Sequence, residues 1–149
     1  MQFVPHFSTI ASVVATSPPG KAAPIVAVIE DDPNIQSLLV RMLQLHGFDP
    51  VLATDLPTLV AVAGSHRVGA FLLDLHLSHG QSGLDLLEWL RVQPPYIDTP
   101  VLVFTGETVM PEQLEQTITR HRAYVFHKGQ RLQPLMQLLK ELLVSDKPE

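Results

Sequence analysis

The sequence contains no cysteine. That excludes disulfides and thiolate metal sites, and leaves the compartment open. No apolar run approaches the ~18 residues needed to span a bilayer. Lys and Arg total only ten against fifteen Asp and Glu, for a formal net charge of -5. The ten are scattered, so the chain offers no basic face for a nucleic acid. No internal repeat is visible. Apolar residues make up 46% of the 149, enough for one core of ordinary size. A soluble single domain is expected.

Residues 1–23 differ from the rest. They hold one charged side chain, Lys21, together with Pro5, Pro18, Pro19 and Gly20. The apolar run from Ile10 to Ala15 is short and no Lys or Arg precedes it, which speaks against a secretory signal. The segment reads as a flexible leader or linker, with a docking segment as the minority reading. Residues 24–145 then form the domain, and 146–149 a short tail.

From Pro24 onward, strand and helix patterns alternate. Ile25–Ile29 is an apolar, β-branched run without period-two alternation, as a buried parallel strand shows. Asp32-Pro33 opens a helix with a cap and a first-turn proline, and Gly47 stops it. Residues 48–53 read as a second strand, with Pro50 suggesting an edge. Residues 55–63 read as a helix facing in with Leu59, Val60 and Ala63. Residues 69–74 form the most apolar strand. Ser82 caps a helix burying Leu84, Leu87 and Leu90. Residues 101–105 and 123–127 are the last two strands, each followed by or preceded by a helix. Residues 111–121 form the more polar helix. The last one carries Leu132, Leu135, Met136, Leu139, Leu142 and Leu143 on one face. Five strands alternating with five helices predict an α/β fold with a doubly wound parallel sheet.

Four of those strands end on groups suited to phosphoryl chemistry. They are Glu30-Asp31-Asp32, Asp74, Thr105-Gly106 and Lys128. Ligands of open parallel sheets bind outside the carboxyl ends of the strands, so these groups are expected at one edge. Hard carboxylate oxygens suit Mg2+. A carboxylate is also a competent nucleophile toward phosphorus. Burying Asp74 without a partner would be costly, which argues for a chemical role.

The order acidic pair, Asp, Thr, Lys resembles the receiver domain of bacterial two-component response regulators, over roughly Pro24 to Val144. The resemblance implies a flavodoxin-like receiver fold with strand order 2-1-3-4-5. It makes Glu30 and Asp31 the acidic pair, Asp74 the phosphoacceptor, and Asp32 a helix cap. Mg2+ would be held by Glu30, Asp31, Asp74 and the backbone carbonyl of His76. Thr105 and Lys128 would meet the phosphoryl group, and Gly106 would leave room for the donor. His76 and Glu107 would tune the loss of the phosphoryl group. Tyr124 and Phe126 flank the position of the family's switch aromatic, which strict counting places at Val125; either aromatic is a candidate. Such a protein is a phosphoacceptor and not a conventional enzyme. Its partners would be a sensor histidine kinase or phosphotransfer protein and a downstream protein, with a possible homodimer through helix 4, strand 5 and helix 5. It would be cytoplasmic, and only a short tail follows the last helix, so output must pass through a partner, a dimer or a phosphorelay.

The chain departs from the family pattern at three points. Ser78 stands where proline is common. Gly83 comes nine residues after Asp74 where eight is usual. Gly129 follows Lys128 where proline, in a cis peptide, is common. Rival readings remain. A haloacid dehalogenase-type phosphatase needs a second Asp where His76 stands. A flavodoxin-like electron carrier would not place three carboxylates at its phosphate loop. His76 and His79 form a weak transition-metal pair. A phosphorylation-independent binding module, or the receiver part of a hybrid kinase, also fits the pattern.

Overall fold

The computed structural model describes residues 22–77, 82–106, 110–129 and 131–144. Residues 1–21 of the leader and residues 145–149, which include the tail, lie outside them, as do Ser78, His79 and Glu107. Among the described residues there are five strands: β1 (Ile25–Ile29), β2 (Asp49–Ala53), β3 (Val68–Leu73), β4 (Val101–Thr105) and β5 (Tyr124–His127). Five α-helices alternate with them: α1 (Pro33–Leu45), α2 (Leu56–Ser65), α3 (Gly83–Leu90), α4 (Glu112–Arg120) and α5 (Gln133–Leu143). A short 3-10 turn, Pro94–Tyr96, precedes β4. Every strand pair is parallel and the order is β2-β1-β3-β4-β5. The fold class and order are those expected, and Pro50 does lie on an edge strand, where a missing N–H is tolerated.

Alternation of side chains across each strand builds two apolar layers. Val26, Val28, Leu72, Leu102 and Phe104 face α1 and α5, where Leu39, Leu43, Leu135, Met136 and Leu139 complete the layer. Ala27, Ile29, Phe71 and Leu73 face Leu59 and Val62 of α2 and Leu86, Leu87 and Leu90 of α3. Val103 and Leu75 meet Ile118 of α4 on that same side. Both faces are covered, which is why the strands read as unbroken apolar runs.

Helix ends follow the sequence signals. Asp32 accepts a hydrogen bond from Asn34 N at 2.9 Å, with Pro33 at the first position. Gly47 leaves α1 at φ +89°, a backbone region that L side chains rarely adopt. Asp55 and Thr58 form a reciprocal cap on α2.

Some inward-facing residues differ from expectation. Val60 is 44% exposed and Val62 is buried in its place, because Val62, three residues after Leu59, shares its helical face while Val60, next to it in sequence, does not. Leu84 is half-buried at the first turn of α3, and Leu86 fills the core instead. β2 begins at Asp49 and β3 at Val68, one residue from the sequence reading, as strand ends often do. Tyr96 is an anchor that periodicity could not reveal. Its ring packs edge-on against Phe71 at 5.2 Å, and its hydroxyl reaches the carbonyls of Ala63 and His66.

At the opposite end of the sheet from the strands' carboxyl termini, Asp49 sits with a buried oxygen that has no hydrogen-bond partner. Burial raises its pKa, with nearby His66 opposing the shift. A raised folded-state pKa means that ionised Asp49 opposes folding. Its neutral form does not, so the penalty grows as pH rises above the ordinary carboxylate range. Asp49→Asn is therefore expected to raise Tm at pH 7 and to lose that advantage below about pH 4, where both states are protonated. Equal Tm values at pH 7 would contradict this reading.

Candidate functional site

The carboxyl ends of β1 and β3 stand side by side. Ile29 is the register partner of Leu73, and Asp74 N continues the ladder by donating to Ile29 O at 3.0 Å. Glu30 N does the same toward Ala53 O of β2 at 3.1 Å. Glu30 and Asp74 thus leave the sheet as neighbours. They are only 2% and 4% exposed. Two carboxylates so deeply placed need a counter-charge.

Lys128 supplies it. Its backbone N donates to Thr105 O at 2.7 Å, which extends the β4–β5 pairing one step past the strand. The ammonium then stands 3.1 Å from Asp74 Oδ2 and 3.2 Å from Glu30 Oε1. It is hydrogen-bonded to Asp74. Toward Glu30 Oε1 the contact is an ion pair without hydrogen-bond alignment. The other oxygens are served by backbone. Asp32 N donates to Glu30 Oε2 at 3.1 Å, and His76 N donates to Asp74 Oδ1 at 3.2 Å.

These contacts set the charges. Burial pushes the Glu30 carboxyl up, and the Asp74 charge adds to that; the Asp32 N–H and the Lys128 ammonium oppose it without cancelling it. Burial would lower Lys128, but Asp74 and then Glu30 outweigh it, so its pKa is raised. The lysine is held as a cation beside two acids.

Asp31 completes an acidic cluster. One oxygen each from Glu30, Asp31 and Asp74 lie within 4.8 Å of one another. Asp31 is half-exposed, which gives the cluster an open side. An all-oxygen, three-carboxylate set with solvent access fits Mg2+, which keeps several of its own waters.

The remaining predicted residues fall around this cluster. Thr105 is fully buried at the end of β4. Gly106 is exposed beside it, facing the Lys128 stem. The His76 side chain is exposed at the rim. Phe126 packs into the α1–α5 layer, and Tyr124, two residues earlier, is 41% exposed. Val125 is the β5 residue that packs with Val103 and Ile118 toward α4. Neither aromatic therefore faces α4. Glu107, Ser78 and His79 lie outside the described residues.

Two contacts escaped the sequence reading. Gln36 of α1 donates to Glu30 O at 2.6 Å and ties the helix to the acidic strand end. Its only sequence signal is a polar residue in the first turn. Gly83 stands against the backbone of the central aspartate. A Cβ there would lie 2.1 Å from Asp74 O and 2.8 Å from Leu75 Cα. Its N–H donates to Leu75 O at 2.8 Å, and a bridge between His76 and Ser82 closes the loop. The extra residue before Gly83 does not prevent this approach.

Comparison with known proteins agrees with the geometry. The family model described as response regulator receiver domain matches residues 26–140. The photosynthetic apparatus regulatory protein RegA of Rhodovulum sulfidophilum is 31% identical over 83 residues, which are 56% of this chain and 44% of that protein. The chain thus spans less than half the length of that relative. Chemotaxis protein CheY4 of Vibrio cholerae superimposes with a TM-score of 0.71 at 23% identity, covering 83% of this chain and 100% of that one. A response regulator receiver protein from Pseudomonas putida gives a TM-score of 0.73 at 23% identity, covering 81% and 98%. The receiver domain of a signal transduction histidine kinase from Syntrophus aciditrophicus gives 0.72 at 20% identity, covering 85% and 96%. At these identities the structural matches speak for the fold, and the family match, which takes in most of the chain, speaks for the lineage. The chain belongs to the response regulator receiver domains of two-component signalling.

Proposed function

We propose that this protein is a phosphoacceptor. It takes a phosphoryl group onto Asp74 and passes the signal to a partner protein by a change of shape. The observation that carries the reading is the meeting of Glu30, Asp31, Asp74 and Lys128 at the carboxyl edge of the sheet. One nucleophile, one cation and two further acids are the parts that phosphoryl transfer to a carboxylate requires.

A carboxylate oxygen of Asp74 attacks phosphorus as the bond from phosphorus to the donor breaks. With a phosphohistidine donor the leaving group is imidazole nitrogen, which takes up a proton. The Asp74 oxygen that attacks becomes the bridging oxygen of an acyl phosphate. His76 N–H holds Asp74 Oδ1 in place, and the ladder bond to Ile29 fixes the backbone beneath it. Lys128 moves its charge from the Asp74 carboxylate to the new phosphoryl oxygens. The Thr105 hydroxyl donates to one of those oxygens, and Gly106 leaves the donor's approach clear. Glu30, Asp31, Asp74 and the His76 carbonyl would hold Mg2+, which supplies positive charge to the transferring oxygens. Hydrolysis by water returns the free carboxylate, with His76 and Glu107 at the edge of the water's path setting the rate.

The donor would be a sensor histidine kinase or a phosphotransfer protein. The receiver would act in the cytoplasm without contacting nucleic acid or a membrane. No helix among the described residues is long and apolar enough to cross one. Its output face would be α4, β5 and α5, toward a downstream protein or a second copy of the chain. This face bears the half-exposed Tyr124. An acyl phosphate is labile to hydroxylamine, whereas a phosphate ester of Ser or Thr is not. Protein labelled with a small phosphoryl donor should therefore lose its label in neutral hydroxylamine. A label that survives would overturn the assignment to Asp74.

A further inference from the structure

Lys128 has a neighbour besides its carboxylates. Its ammonium lies over the ring of Phe104, 5.9 Å from the ring centroid. Phe104 is the penultimate residue of β4 and is 5% exposed. Side chains alternate along a strand, so Phe104 and Thr105 leave opposite faces of the sheet. Phe104 joins the layer formed with Leu135, Met136 and Leu139 of α5. Its register partner on β5 is Phe126, which packs against the same layer. The ring is thereby pinned, and it presents a fixed surface to the lysine.

A lysine stem has four rotatable bonds and loses much freedom when its head is held. The two carboxylates hold the ammonium at 3.1 and 3.2 Å. One of them, Asp74, ceases to be an anion with two free oxygens once it carries a phosphoryl group. The ring face is unaffected by chemistry at Asp74. It attracts a cation before and after the step alike. Gly106 leaves the stem unobstructed, since even a Cβ there would be 3.9 Å from Lys128 Cδ.

We propose that Phe104 is a positioning residue for Lys128: its ring holds the ammonium at the sheet edge while the lysine exchanges the Asp74 carboxylate for phosphoryl oxygens. This rests on the reading of Asp74 as phosphoacceptor. It places the aromatic control of the site on the α5 side of the sheet, where both Phe104 and Phe126 lie. The α4 side carries Val125, one register step earlier, against Val103.

The test combines lysine-resolved NMR with labelling kinetics. In the wild-type protein the Lys128 Cε protons should show cross-relaxation to the Phe104 ring and an upfield ring-current shift. Phe104→Leu should abolish both and slow labelling by acetyl phosphate about two- to five-fold, the range of a partly exposed cation–π contact. Its half-saturating Mg2+ concentration should stay unchanged, because the acidic cluster is untouched. Phe104→Tyr, which keeps the ring, should restore the contact and the rate. Absence of the cross-relaxation in the wild-type protein overturns the proposal even if the leucine variant does not fold. So does a leucine variant that labels at the wild-type rate, or a tyrosine variant no faster than leucine. A wild-type protein that shows the contact but takes no label overturns the phosphoacceptor reading, and with it the use of the contact in catalysis.

Discussion

Gly83→Ala is expected to damage stability and the acidic site together. The added Cβ would stand 2.1 Å from Asp74 O and 2.8 Å from Leu75 Cα, and both of those are backbone atoms. No side-chain rotation can relieve such an overlap. Either α3 retreats, breaking the Gly83 N–H bond to Leu75 O, or the segment carrying Asp74 shifts. Overpacking of this kind typically removes about 1–3 kcal/mol, and lost backbone bonding adds to it. For a domain of this size that is a fall in Tm of roughly 4–12 °C, at about 4 °C per kcal/mol. Either response disturbs the Asp74–Leu75 backbone, since the clash is with the Asp74 carbonyl and the broken bond anchors Leu75, so Mg2+ affinity and phosphoryl uptake should fall with Tm. Thermal melts and Mg2+ titrations on the same samples check this. A variant with wild-type Tm and wild-type Mg2+ affinity would show that the loop relaxes freely.

Lys128→Met should give the second large effect, and it should depend on metal. Methionine preserves the length of the stem and removes the charge. Glu30 and Asp74 are then left as buried acids with no cation beside them. Removing one partner of a buried ion pair costs about 3–5 kcal/mol when burial is complete. The Lys128 side chain is 24% exposed, so a loss nearer ~2 kcal/mol is expected. The loss should shrink as pH falls. Glu30 already has a raised pKa from burial, so without the lysine it protonates more readily, and the stability forfeited at neutral pH returns below that pKa. Mg2+ should also restore it, because the metal meets no ammonium competing for the same carboxylates. The variant should therefore bind Mg2+ more tightly than wild type and gain more Tm from it, while failing to convert phosphorylation into a shape change. Chemical denaturation with and without Mg2+ reads the first part. Equal stability of the two proteins in the absence of metal would contradict the account of the site's charges.

Much of this was legible in the sequence for physical reasons. A buried parallel strand needs apolar side chains on both faces, so Ile25–Ile29 and Val101–Thr105 announce themselves as unbroken runs. Ligand chemistry in such sheets gathers at strand ends, so Glu30, Asp74, Thr105 and Lys128 could be placed at one edge before any coordinates. Strand order came from the resemblance, since periodicity says nothing about neighbours.

What stayed hidden depends on three-dimensional approach. The resemblance marks glycine at position 83, but the reason for it is visible only against the backbone of Asp74, nine residues away. Counting along β5 marked Val125 as the switch position and left Tyr124 and Phe126 open. The layers show that Phe126 faces α5 and Val125 faces α4. The Lys128–Phe104 contact joins two strands and could not be read from either alone.

The proposed function turns on Asp74, served by a metal at Glu30 and Asp31, accepting a phosphoryl group. Intact-protein mass after incubation with acetyl phosphate tests it most directly, with and without Mg2+, beside Asp74→Asn. Wild-type protein should gain the mass of one phosphoryl group in Mg2+, with no gain without the metal or in the variant. A folded wild-type protein that binds Mg2+ yet gains nothing from acetyl phosphate or a phosphohistidine donor would contradict it, as would equal labelling of Asp74→Asn.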